Sequence, residues 1–150
     1  DFAASMNTGL KRKKLEELGK KISTLPSTEK FFSKTAKVFS DRLKMLEEDK
    51  LDWAMGELLA YASLLDEGHP VRLSGQDVER GTFSHRHAVV RVEDSEEEFT
   101  PLNNLNTKGR LEIYNSLLSE YGVLGFEFGY AMATPNALTI WEAQFHGGCM

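Results

Sequence analysis

The stretch YGVLGFEFGYAMA, near residues 119–132, constrains this chain most. At about 100° per residue, Gly122, Gly125 and Gly129 fall within an arc of roughly 60°, so a helix here carries a glycine face that another backbone can approach closely. The segment is otherwise mostly Val, Leu, Phe, Tyr and Met, and a helix apolar on every side has to be buried nearly all round. Ser119 stands where a helix cap belongs, and Glu120 opens the first turn at the positive end of the helix dipole. LEIYN (111–115) precedes this helix and ALTIW (137–141) follows it. Strand, helix, strand is the order of a right-handed crossover between parallel strands, which makes the chain an α/β protein built on a parallel sheet.

Upstream, two further strand candidates are VRLS (71–74) and HAVVRV (87–92). The first third reads as helix. KRKKLEELGKKI and STEKFFSKTAKVFSDRLKMLEE are separated by Pro26 and Ser27, and the second places Phe32, Ala36, Phe39, Leu43 and Leu46 on one stripe. A third helix is expected from a cap at Asp52 to a stop at Gly68, with Trp53, Leu58, Ala62 and Leu65 near one face. EDSEEEF (93–99) reads as a solvated acidic loop and TPLNNLNTKGR (100–110) as a connection.

The whole chain of 150 residues, 41% hydrophobic and 27% charged, is enough for one domain with a core of its own. Its 18 Lys and Arg against 23 Asp and Glu give a net charge of -5, which argues against a chain-wide attraction to nucleic acid or an anionic membrane. Residues 11–21 hold six Lys or Arg against two Glu, but no aromatic residue interleaves with them, so a solvated helix face is expected there. No run reaches the ~18 apolar residues of a membrane span, and the start lacks the basic-then-apolar order of a secretory signal. Cys149 has no second cysteine to pair with, as suits a reducing compartment. A start at Asp1 and the abrupt HGGCM end suggest a piece of a longer chain.

In open parallel sheets ligands meet the carboxyl ends of the strands. The residues there are Gly75, Gln76 and Asp77 after the first strand, Ser116 to Glu120 after LEIYN, and Glu142 and Gln144 after ALTIW. His85 and His87 in SHRH would share one face of a strand, as a pair of metal donors does, but no third ligand stands at an obvious spacing. Substrate contact, proton transfer and structural hydrogen bonding stay open for both. Arg80 and Arg86 have acids nearby to pair with. GxSxG, P-loop and GxGxxG motifs are absent, which removes the sequence support for an α/β-hydrolase, a P-loop NTPase and a Rossmann oxidoreductase.

The strings GHPVRLSGQDVERGTFSHRHAVV and YNSLLSEYGVLGFEFGYAMATPNALTIWEAQF resemble the thiamine-diphosphate-dependent dehydrogenase component of 2-oxoglutarate dehydrogenase complexes, over about Leu25 to Phe145. The resemblance implies a helical lead-in over 1–49, a truncated transketolase-like pyrimidine-binding domain over 50–145, and a divergent tail over 146–150. It implies an enzyme that decarboxylates 2-oxoglutarate oxidatively on thiamine diphosphate and Mg²⁺ and passes succinyl to lipoamide. Such an enzyme is a homodimer with the cofactor between subunits, and it works with a lipoyl-bearing succinyltransferase in a bacterial cytoplasm or a mitochondrial matrix.

Residue by residue, Glu120 in LLSEYG matches the family's catalytic glutamate, which hydrogen-bonds the pyrimidine nitrogen para to the exocyclic amine and so favours the imino tautomer. Leu118 and Gln76 match cofactor-binding positions. His85 and His87 fall inside a shared string without an assigned role. Where the family continues Gly-Asp-Phe after EAQF, supplying an aromatic to the pyrimidine, this chain has HGGCM. The family's Mg²⁺ ligands and substrate histidines lie outside this chain, so the isolated chain is expected to be inactive. Two alternatives accompany this reading: a relative that decarboxylates 2-oxoglutarate without succinyl transfer, and a non-catalytic dimerisation module.

Overall fold

A computed structural model of the chain describes Ser5 and residues 7–144. The divergent tail, with Cys149 and His146, and Phe145 before it lie outside the described residues. Three helices come first: α1 (Arg12–Ile22), α2 (Ser33–Glu48) and α3 (Trp53–Glu67). Strand β1 (Val71–Gly75) follows, then a short antiparallel pair, β2 (Val90–Arg91) and β3 (Glu98–Phe99), and a 3-10 turn at Pro101–Leu105. The chain closes with β4 (Leu111–Asn115), α4 (Glu120–Ala133) and β5 (Leu138–Glu142).

The fold is α/β with a parallel three-stranded sheet in the order β4-β1-β5, so the connection through α4 carries the chain past β1 rather than to a neighbouring strand. Alternation along β1 sorts its two faces. Val71 and Leu73 are fully buried, and Val71 packs with Leu111, Ile113 and Ile140 into a core shared with Leu18, Ile22, Met55, Leu58 and Leu65 of α1 and α3. Arg72 and Ser74 point to the opposite face, where both bond the buried carboxylate of Glu127 on α4. Gly19 lets α1 approach α2, because a Cβ there would sit 2.8 Å from Leu46. The edge strand β4 is closed by Asn103, whose amide both donates to the Leu111 carbonyl and accepts from its N–H. Among the described residues no helix is long and apolar enough to cross a membrane.

Helix α3 starts and stops as its sequence dictates: the Asp52 carboxylate accepts from Met55 N–H at 2.7 Å, and Gly68 ends it with φ +93°. Other details differ from the sequence reading. Trp53 does not face the core; it is 95% exposed, because the α3 stripe that packs begins at Ala54 and Met55. Helix α2 starts at Ser33 rather than Ser27, since Phe31 pairs with Val92 in an isolated bridge, and it buries Phe39 and Arg42 rather than Ala36. Of HAVVRV only Val90–Arg91 is strand, because Ser84 and His87 take positive φ and turn the chain before it. Helix α4 is not covered all round: Val123 and Glu127 are buried, whereas Tyr121, Phe128 and Met132 are 89%, 67% and 72% exposed.

Candidate functional site

The carboxyl ends of β1, β4 and β5 lie side by side, and the loops leaving them are stitched together. Gly75 ends β1 where a Cβ would overlap the Glu142 carbonyl of β5, so only glycine allows the two strands this approach. Ser116 N–H donates to the Gly75 carbonyl at 2.7 Å, and Glu79 N–H donates to Asn115 Oδ1 at 3.1 Å. Asp77 and Arg80 form an ion pair within the loop after β1.

Helix α4 begins at this edge. Ser119 Oγ accepts from Gly122 N–H at 3.3 Å, fixing the first turn and with it Glu120. Glu120 Oε1 accepts the Gln144 backbone N–H at 3.0 Å. Glu120 Oε2 is buried and has no hydrogen-bond partner among the described residues. A shielded carboxyl oxygen without a partner is costly unless a ligand group meets it. Leu118, exposed two residues earlier, has its N–H held by Ser116 Oγ at 3.2 Å. The Gln76 side chain is exposed, while its carbonyl accepts from Gln144 Nε2 at 2.8 Å. Of the three residues singled out in the sequence, Gln76 and Leu118 lie on loops that leave adjacent strands and Glu120 heads α4, with Gln144 bonded to Gln76 and Glu120.

Beside this edge a cleft of about 420 Å³ is lined by Glu57, Thr82, Phe83, His85, Arg86, Glu142 and Gln144, among others. Its floor is Arg86, only 1% exposed, which binds Glu57 of α3, Glu142 of β5 and, at 2.7 Å, the Val78 carbonyl. Burial works against the guanidinium charge, but hydrogen bonds to both carboxylates outweigh it and hold Arg86 above its ordinary value. Arg86 therefore pairs with remote acids rather than with its neighbours. From the other side, buried Arg42 of α2 donates to the His85 and Arg86 carbonyls, and burial pushes it down to about 10. His85 and His87 do not share a strand face. His87 has φ 43° and its Nε2 lies 3.0 Å from the Ser84 carbonyl, and burial, with Arg42 nearby, lowers its pKa. Among the described residues no cluster of three or more His, Cys, Asp or Glu is placed to hold a metal ion.

A parallel sheet flanked by helices, with a half-paired carboxylate at the head of the helix on its carboxyl edge, defines an α/β domain of the open-sheet class. The chain belongs to the transketolase pyrimidine-binding domain family, which matches residues 49–147. Over 147 residues it is 52% identical to a 2-oxoglutarate dehydrogenase E1 component of Coxiella burnetii, a match covering 97% of this chain and 16% of that protein. It is 48% identical to the corresponding protein of Rickettsia felis over 140 residues, covering 92% of the chain and 14% of the relative. The mitochondrial 2-oxoglutarate dehydrogenase of Caenorhabditis elegans is also 48% identical, over 141 residues, covering 93% and 14%. The chain thus spans about one sixth or less of the length of these relatives.

Proposed function

We propose that this chain is the aminopyrimidine-holding portion of a thiamine-diphosphate-dependent 2-oxoglutarate dehydrogenase E1 component, a homodimer that decarboxylates 2-oxoglutarate oxidatively and transfers succinyl to the lipoamide of a succinyltransferase partner. The observation that carries this reading is Glu120, with one oxygen held by protein and the other buried and unpartnered. The donor set fits the group: a carboxyl oxygen for a pyrimidine nitrogen, with Leu118 and Gln76 both exposed on the loops that follow β4 and β1. When bound, thiamine diphosphate supplies the carbanion chemistry that a 2-oxo acid needs to lose CO₂. The chain's part is to hold a proton at Glu120 Oε2 toward the pyrimidine. Mg²⁺ and the diphosphate belong to residues outside this chain.

The uncovered face of α4 supports the homodimer. Tyr121, Leu124, Phe126, Phe128 and Met132 are exposed, and a Cβ at Gly125 or Gly129 would meet nothing within 4 Å. A surface of that kind is typical of a subunit contact. Relatives named as bacterial E1 components and as a mitochondrial enzyme support a bacterial cytoplasm or mitochondrial matrix.

The test is 2-oxoglutarate decarboxylation by the complete parent chain beside its Glu120→Ala variant, with thiamine diphosphate binding measured on both. We expect the variant to bind cofactor and to lose about 10²-fold or more in turnover. An unaffected variant would leave the domain without its chemistry and favour a purely assembling role. The isolated chain is expected to show no turnover.

A further inference from the structure

Glu120 begins a helix whose outer face is open, and among the described residues its carboxylate is held at one oxygen by a single protein bond, from the Gln144 backbone N–H at 3.0 Å. That donor lies beyond the end of β5, in irregular backbone that no sheet hydrogen bond fixes. What fixes it is its own side chain. The Gln144 amide carries two N–H groups, and Nε2 uses them on the Gln76 carbonyl at 2.8 Å and on Thr82 Oγ1 at 3.2 Å. One residue therefore joins the ends of β5, β1 and α4, and its amide cannot be replaced by a carboxylate or thioether without losing both bonds.

We propose that Gln144 is a positioning residue for Glu120. Its side chain locks the N–H that occupies Oε1, so that Oε2 alone remains for the ligand. This inference rests on the reading of Glu120 given above. Thr82 serves as a second anchor for the same amide. A carboxylate with both oxygens free would sample more than one rotamer, and misplacement of a reacting group by about 1 Å is enough to cost roughly 10²-fold in rate.

The experiment uses the complete parent enzyme with Gln144→Met, which keeps volume and loses both donors, Thr82→Val, which removes one anchor, Glu120→Gln, and the double variant Gln144→Met/Glu120→Gln. Three quantities are read: turnover of 2-oxoglutarate, binding of thiamine diphosphate to the cofactor-free protein, and the infrared carboxyl band of Glu120, identified as the band that Glu120→Gln removes. Gln144→Met should lower kcat by about ten- to 100-fold with KM for 2-oxoglutarate nearly unchanged, and should shift the Glu120 band in the cofactor-free protein. Thr82→Val should do the same by less. In the Glu120→Gln background Gln144→Met should add almost nothing, because it acts through the missing carboxylate.

An unshifted band, or losses that multiply in the double variant, would overturn the proposal. If Glu120→Gln itself leaves turnover intact, the reading of Glu120 falls, while the band in Gln144→Met still decides whether Gln144 holds that carboxyl. A Gln144→Met protein that fails to fold shifts the decision to Thr82→Val, whose band must move if the amide is the anchor.

Discussion

The two faces of the central sheet are finished by different means. On one, Val71 packs into a core with residues of α1 and α3, from Leu18 to Leu65, that closes within the chain. On the other, α4 docks through little more than Val123 and Glu127, with the Glu127 carboxylate bound by Arg72 in a two-pronged bridge and by Ser74 at 2.9 Å. Arg72 in turn lies under the rings of Tyr114, Phe126 and Tyr130 at 4.6–5.2 Å. Packing fixes the first face; directed polar bonds fix the second. Directed bonds set the register of the helix, and Tyr121, Leu124, Phe128 and Met132 are left exposed.

The largest expected effect lies at the ion cluster that ties α3 to the end of β5, a polar exception on the packed side. Arg86→Met would leave Glu57 and Glu142 facing each other without their shared cation, at a cost of about 3–5 kcal/mol in urea unfolding. A loss under 1 kcal/mol would mean that the cluster does not hold this side together. Next comes a paired comparison. Leu65→Ala should cost about 2–5 kcal/mol, whereas Phe128→Ala should change unfolding by less than about 0.5 kcal/mol and instead weaken self-association in sedimentation. Equal unfolding costs at the two positions would erase the distinction between the faces.

A smaller effect has opposite signs in two assays. Gly129→Ala meets open space in the chain and should stabilise α4 by about 0.5–1 kcal/mol, yet it should loosen the dimer by thickening the glycine face. The smallest effect is a pH dependence. His87 has a folded pKa below its ordinary 6.5, so the unfolded chain binds the proton more readily. Stability should therefore be full above about 6.5 and decline as pH falls below it. His87→Gln should flatten that decline in thermal melts taken at stepped pH.

Much of this was legible in the sequence where the cause is local. Asp52 and Gly68 bound α3, Ser119 starts α4, and the runs at 71, 111 and 137 are the three parallel strands. The residues at or after the carboxyl ends of those strands, Gln76, Leu118, Glu120, Glu142 and Gln144, do lie along one edge. What was not legible is long-range or intermolecular. HAVVRV has the composition of a strand, but the loop before it is shaped by Arg86 reaching Glu57 and Glu142, acids with no sequence pattern linking them to it. Thr82 gave no signal, because a hydroxyl held by an amide 62 residues later has none. The apolar surround of α4 pointed to burial nearly all round, yet within the described residues only Val123 and Glu127 are buried, because apolar composition does not say which side of a helix meets the sheet.

The strand order carries a consequence for how the chain is made. Strand β1 is central, yet both of its neighbours come later, β4 from Leu111 and β5 from Leu138. During synthesis the helices and β1 emerge first with two unpaired strand edges, and no local hairpin satisfies them. Both edges of β1 are paired only when residue 142 has been delivered. Until then Val71 can rest on α3, but the backbone of β1 remains an open template for any other extended segment, and folding must wait for two distant closures.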